Sequence, residues 1–149
     1  VDSLTYAQNR NHFNEYIEKN RRKELHSVGV IYLDLNGLKE INDKMGHLAG
    51  DTLIISASYV LQEIFADNSY RIGGDEFVVI EQDVLESEFM SKYNKLLVRM
   101  KELEISVATG YIWKERCLNL SEILQAADQK MYEDKKRYYS IAQKDRRRR

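Results

Sequence analysis

The sequence predicts an α/β (α+β) domain in which a central, mostly antiparallel sheet is surrounded by helices. Three observations predict it. Val28-Gly29-Val30-Ile31-Tyr32-Leu33 is a continuous apolar run of strand length, rich in β-branched residues, which suits a strand covered on both faces. Helical spacing of apolar residues recurs on either side of a Gly-Gly hairpin, in Leu53, Ala57, Val60, Leu61 and Ile64 and again in Phe89, Tyr93, Leu96, Leu97, Met100 and Leu103. The resulting order is helix-strand-helix-helix-strand-strand-helix-strand-helix, whose elements bury their apolar faces by packing helices on one sheet.

The first helix is predicted over residues 9–25, with Phe13, Tyr16 and Ile17 on one face. The strand at 28–33 stops at Asp34-Leu35-Asn36-Gly37, where a turn begins and a short helix runs through Asn42. Residues 51–65 form a strong amphipathic helix, with Asp51 suited to its N-cap. A hairpin over 70–80 carries Gly73 and Gly74 at its tip, where a tight turn needs φ > 0. A helix at 86–102 and a strand at 105–113 follow. The last helix starts near Ser121 and passes Lys135, turning Ile123, Leu124, Ala127 and Met131 to the core. Residues 1–140 read as a single domain and 141–149 as a disordered basic tail.

Length and composition bound the function. The 149 residues suffice for one core, and 43% hydrophobic with 32% charged residues is ordinary for a soluble domain. A net charge of −1 offers no basic face to a nucleic-acid polymer. Four of the 23 basic residues are the arginines at 146–149, so the remainder holds 24 acids against 19 bases. One cysteine, Cys117, excludes an internal disulfide and a thiolate zinc cluster, and fits a reducing compartment. No run approaches the roughly 18 apolar residues of a membrane span, and no signal peptide is visible. A cytoplasmic location without membrane contact by this domain is expected.

Chemistry concentrates in Arg71-Ile72-Gly73-Gly74-Asp75-Glu76-Phe77. Adjacent carboxylates at one tip repel each other and resist desolvation, a cost that a divalent cation removes. Asp34 ends the buried strand. If that strand lies beside the hairpin, Asp34, Asp75 and Glu76 converge without a basic neighbour, a donor set for Mg²⁺ or Mn²⁺. The residues leave a second reading open, in which Asp34 caps the following turn. Asn36-Gly37-Leu38-Lys39 supplies successive backbone N–H groups entering a helix, with Lys39 adding charge, and so suits a phosphate; an ordinary strand-to-helix loop reads the same. Asn42 and Asp51 suit a guanine edge, the carboxylate accepting from N1–H and the exocyclic amine, or serve as helix caps. The run Lys135-Lys136-Arg137 is either a solvated face or a further phosphate clamp. Neither a Gly-x-Ser-x-Gly elbow nor a Walker-type loop occurs.

These residues together resemble the GGDEF domain of bacterial diguanylate cyclases over nearly the whole chain. The likeness runs from Asp2-Ser3-Leu4-Thr5 and Asn9-Arg10-Asn11-His12-Phe13 through Asp34 to Asp43. It continues in Gly46-His47, Gly50-Asp51, the Gly-Gly-Asp-Glu-Phe hairpin, Ser106-Val107-Ala108-Thr109-Gly110, Ala127-Asp128, Met131-Tyr132 and Lys135. The resemblance implies a five-stranded sheet similar to the palm of polymerases and nucleotide cyclases. It implies condensation of two GTP into cyclic di-GMP and two pyrophosphates across a two-fold dimer, with two Mg²⁺ or Mn²⁺ ions per GTP site. By position, Asp34, Asp75, Glu76 and the Leu35 carbonyl hold metal, and Asp75 accepts the proton. Asn36, Gly37, Leu38, Lys39 and Lys135 meet phosphates, Lys39 stabilising charge in the transition state. Asn42 and Asp51 read guanine, and Gly73 and Gly74 shape the turn. An upstream sensory or dimerising segment is expected, with the domain as output of a larger sensor.

Three departures from the family pattern stand out. Tyr6-Ala7 replaces a Gly-Leu pair after the opening motif, and Tyr138-Tyr139 replaces a Gly-Arg pair near the phosphates. Ile64 stands where the inhibitory Arg-x-x-Asp motif has its arginine, leaving Asp67 alone, so product inhibition is expected to be lost. The alternative to an active cyclase is a catalytically weak GTP-binding module that regulates an attached effector.

Overall fold

The computed structural model describes residue 2 and residues 4–148. In chain order the elements are α1 (Arg10–Asn20), β1 (Leu25–Leu35), α2 (Leu38–Met45), α3 (His47–Phe65), β2 (Ser69–Arg71), β3 (Glu76–Glu81), α4 (Glu86–Glu102), β4 (Val107–Cys117) and α5 (Leu120–Arg148), with one 3-10 turn at Ala66–Asn68. The order matches the sequence expectation. The strands form one sheet in the order β2-β3-β1-β4, every pairing antiparallel. Among the described residues this sheet has four strands rather than the five the resemblance implies.

The apolar run of β1 is explained by helices on both faces. Ile31, Leu33, Leu35, Phe77 and Val79 pack under α3 and α4 with Ile54, Leu61 and Leu96. Phe65, Phe77 and Phe89 are fully buried there, each worth roughly 1.5–3 kcal/mol of transfer from water. On the other face Val28, Val30, Val78 and Ile80 meet Phe13 of α1 and Ile123, Leu124 and Met131 of α5.

Several boundaries differ from expectation. Helix α1 ends at Asn20, because the polar stretch 21–24 has no apolar residue to bury and Leu25 pairs with Cys117 in the sheet. Helix α3 starts at His47 after Gly46, whose φ of 88° breaks the chain direction, so Asp51 lies inside the helix and does not cap it. Strand β4 extends to Cys117, its charged residues 114–116 facing solvent at the sheet edge opposite β2. Helix α5 continues through Arg148, past the expected domain end at 140. No glycine or proline stops it, and Gln, Lys and Arg favour helix. Arg149, and Ser3 of the opening motif, lie outside the described residues.

Antiparallel pairing sets the C-terminal end of β1 beside the N-terminal end of β3, Asp34 opposite Glu76 and Leu33 opposite Phe77. The start of β4 lies on the other flank, Val107 opposite Leu35. Both flanks bring loops to the same end of the sheet.

Candidate active site

That end of the sheet holds the acids. The Leu35 amide donates to the Asp75 carbonyl at 3.0 Å, tying the strand end to the hairpin tip. Asp34 is 9% exposed, while Asp75 and Glu76 are half-buried. The tip itself is braced by arginines. Arg71 donates through Nε to the Gly73 carbonyl at 3.2 Å and through Nη2 to the Gly74 carbonyl at 2.9 Å. Arg10 donates to the Ile72 carbonyl at 2.6 Å. Arg71 also meets Asp2 at 3.1 Å, and Asp2 in turn accepts from Leu4 N, Thr5 N and Thr5 Oγ1. Burial works against ionisation of Asp2, but Arg71 and Thr5 outweigh it and hold the carboxyl below its usual range. The opening motif is therefore a brace for the hairpin. Sequence reasoning missed the bracing role of Arg71 and Arg10, for which the available signal was only an arginine two residues before the glycine pair.

Neither Gly73 nor Gly74 adopts the left-handed φ expected of a tight turn. The connection spans four residues, with Ile72 N and Gly73 N both directed to the Glu76 carbonyl, so no two-residue turn forms. Packing does not require the glycines either. A Cβ on Gly74 would meet nothing within 4 Å, and one on Gly73 would make only ordinary contact with Glu76.

Burial pushes the Asp34 carboxyl up to about 6; Lys135 pulls it down and the neighbouring Asp75 pushes it up. Burial also raises Glu76, with Asp128, Asp34 and Asp75 adding to the rise. The expectation of acids without a basic neighbour fails, because Lys135 Nζ lies 3.0 Å from Asp34 Oδ2. The same ammonium donates to the Leu35 carbonyl at 3.5 Å. Helix α5 packs along β1 and β4, so a lysine a hundred residues away in sequence comes into range. Among the described residues no three acid, His or Cys side chains stand together as a metal cluster. The oxygen set consists of Asp34, Asp75 and the Leu35 carbonyl, with Glu76 alongside. These are hard donors, and Asp34 Oδ1 is buried without a hydrogen-bond partner. A hard divalent cation fits that need.

Next to the acids, Gly37 takes φ 69° at the N-terminus of α2, with no side-chain cap over the first turn. Asn36 is fixed by two bonds to Ser106, its N to the carbonyl at 2.9 Å and its Nδ2 to Oγ at 3.1 Å. Lys39 is exposed on the first turn of α2. Tyr138 sets its hydroxyl beside Gly37, and the Tyr139 ring lies 5.7 Å from Lys135 Nζ, so the two tyrosines flank the loop and the lysine. Asn42 lays its side chain on Gly50, which precedes Asp51 in α3. The side-chain oxygens of Asn36 and Asn42 are buried without a partner, as is that of Asp34. Unmet acceptors call for a cation or for N–H donors.

Away from this cluster, Ile64 packs its half-buried side chain against the core, and Asp67 is exposed on the 3-10 turn. Tyr6 points outward onto Tyr59 with ring centroids 5.9 Å apart, and Ala7 is buried, so that departure lies in packing.

A family model described as diguanylate cyclase, GGDEF domain, matches residues 1–139. The chain is 36% identical to the signaling protein YkoW of Bacillus subtilis strain 168, over 95% of the chain and 20% of that protein. It is 30% identical to the probable diguanylate cyclase DgcI of Escherichia coli K12, over 91% of the chain and 31% of that protein. It is also 30% identical to the cyclic di-GMP phosphodiesterase PdeR of E. coli K12, over 89% and 22%. The chain thus spans roughly a fifth to a third of the length of these relatives. Among solved structures, the GGDEF domain of DgcB from Caulobacter crescentus in complex with c-di-GMP has a TM-score of 0.76 at 21% identity, covering 91% of this chain and 90% of that one, a likeness of fold. No helix among the described residues is long and apolar enough to cross a membrane.

Proposed function

This chain belongs to the GGDEF domain family, and from that premise we propose that it is a diguanylate cyclase, joining two GTP into cyclic di-GMP with release of two pyrophosphates. The observation that carries the reading is the meeting of Asp34 and Asp75 at one end of the sheet, with an unmet buried oxygen on Asp34. Two divalent cations per GTP, Mg²⁺ or Mn²⁺, would supply neutralisation of the triphosphate and acidification of the attacking 3′-hydroxyl. Asp34, Asp75 and the Leu35 carbonyl would hold them, with Glu76 in support.

The remaining steps belong to the chain's own groups. Asp75 takes the 3′-hydroxyl proton, the 3′-oxygen bonds to the α-phosphorus of the other GTP, and the bond to pyrophosphate breaks. The exchange happens twice per product, once from each GTP to the other, so that two pyrophosphates leave. Lys39 and Lys135 meet the phosphate charge, and the uncapped turn after Gly37 offers backbone N–H groups. Asn42 and Asp51 present acceptors to the N–H groups of the guanine edge. Each protomer holds one GTP, so the reaction needs two copies of the site facing across a two-fold axis.

One finding favours a second reading, a GTP-binding module that regulates an attached domain: a relative at 30% identity is named for cyclic di-GMP hydrolysis. Retention of Asp34, Asp75 and Glu76 favours the cyclase. The test is to join two copies through a leucine zipper, supply GTP or ATP with Mg²⁺, and separate the products by chromatography. Cyclic di-GMP from GTP and no cyclic dinucleotide from ATP is the expected result. GTP binding without product would favour the regulatory module.

A further inference from the structure

Lys135 sits where a cation is wanted. Its ammonium touches two oxygens of the proposed metal site, Asp34 Oδ2 at 3.0 Å and the Leu35 carbonyl at 3.5 Å. The Lys135 and Asp34 side chains are only 19% and 12% exposed, so this is a partly desolvated pair. One positive charge does not complete the site, because Asp34 Oδ1 remains without a partner and Asp75 stands close by. Tyr139, one turn further along α5, has its ring 5.7 Å from Nζ in this same pose and offers a face on which a released ammonium can stay.

We propose that Lys135 is an exchangeable counter-ion: it occupies the Asp34–Leu35 half-site in the metal-free protein and is displaced by a divalent cation toward Tyr139 and the nucleotide's phosphates. The proposal rests on the metal site of the preceding section. It makes metal and nucleotide loading mutually reinforcing, since the arriving cation must evict a bonded ammonium and the evicted ammonium becomes free to bind phosphate.

The test uses the full chain without nucleotide. Mn²⁺ binding is measured by the loss of the free-ion paramagnetic resonance signal for wild type, Lys135→Met and Asp34→Asn, and thermal unfolding is followed with and without Mn²⁺. Lys135→Met is expected to bind Mn²⁺ roughly three- to tenfold more tightly than wild type, the range set by loss of a competing, partly buried ion pair. Its thermal deficit relative to wild type is expected to shrink at saturating Mn²⁺. Unchanged or weaker Mn²⁺ binding by Lys135→Met, or a deficit equal with and without metal, would overturn the exchange. A measurement on the unaltered protein guards against misfolding of the variant. With ¹³Cε-labelled lysine, Mg²⁺ should move the Lys135 resonance toward its position in Asp34→Asn, and a resonance indifferent to Mg²⁺ would refute displacement. Absence of GTP turnover with these results intact would remove the cyclase reading and leave the exchange standing. Turnover with Lys135 unmoved would do the reverse.

Discussion

Asn42 fills the space that a side chain at Gly50 would need: a Cβ on that glycine would collide with the Asn42 side-chain oxygen. The two residues lie on consecutive helices, α2 and α3, and their contact fixes the only amide proposed to read guanine beside Asp51. Gly50→Ala is expected to fold, because the obstructing atom ends a flexible side chain that can swing away, and alanine improves helix propensity by roughly 0.5–1 kcal/mol. Affinity for a fluorescent GTP analogue is expected to fall about tenfold, one displaced hydrogen-bonding group. Unchanged affinity would remove Asn42 from the base site.

Gly74 and Gly110 should respond in opposite ways. A Cβ at Gly74 meets nothing within 4 Å, whereas one at Gly110 would strike the backbone of α5 at Ala127 and Met131. Gly74→Ala is expected to leave unfolding free energy within about 0.5 kcal/mol of wild type while reducing nucleotide affinity, if the proposed nucleotide site extends over the hairpin tip. Gly110→Ala is expected to cost about 1–3 kcal/mol or more by prising β4 from α5. Urea denaturation of both variants, beside nucleotide titration of the first, checks the contrast.

The Asp34 carboxyl makes stability depend on pH. Its folded value of about 6 lies above the ordinary 3.8, so between about pH 4 and 6 the folded chain keeps a proton that the unfolded chain has lost. The folded state binds more protons in that window, and its contribution to stability therefore falls as pH rises and levels off above 6. Asp34→Asn removes the charge, and with it both the penalty and the ion pair with Lys135. In a chelator it is expected to melt a few degrees above wild type at pH 7.5, with the gap closing near pH 4. Thermal denaturation across that range reads the effect, and a gap independent of pH would refute it. Metal affinity in wild type should also weaken below about pH 6, where proton and cation compete for Asp34.

Product binding should not depend on the degenerate motif. Ile64 is packed against the core and offers no charge to a phosphate, leaving Asp67 exposed without the arginine it needs. Asp67→Ala is expected to leave cyclic di-GMP affinity within twofold of wild type by calorimetry. Tight binding abolished by that substitution would restore an inhibitory site.

Much of this was legible because it is local. Periodicity located the long helices and β4, the glycine pair marked the β2–β3 hairpin, and the two-sided burial of β1 follows from its unbroken apolar run. The acids were legible because antiparallel pairing of two recognisable strands sets Asp34 opposite Glu76. Other features depend on atoms distant in sequence. Nothing near Asp34 foretold Lys135, which arrives on α5 through packing alone. The start of α3 turned on Gly46 having a φ of 88°, a choice composition does not dictate. The hairpin glycines looked like turn formers, yet neither takes a positive φ and a Cβ on Gly74 would meet nothing.

The central claim is that Asp75, held beside Asp34 by the Leu35–Asp75 backbone bond, takes part in joining two GTP molecules. The most direct measurement is the rate of cyclic di-GMP formation from GTP and Mg²⁺ by a zipper-joined dimer, wild type against Asp75→Ala, with GTP affinity measured on both. Product from wild type and at least a hundredfold slower formation by Asp75→Ala is the expected result, the loss of a proton acceptor alone accounting for that factor. Comparable rates from the two dimers, or no product from wild type while GTP is bound, would contradict it.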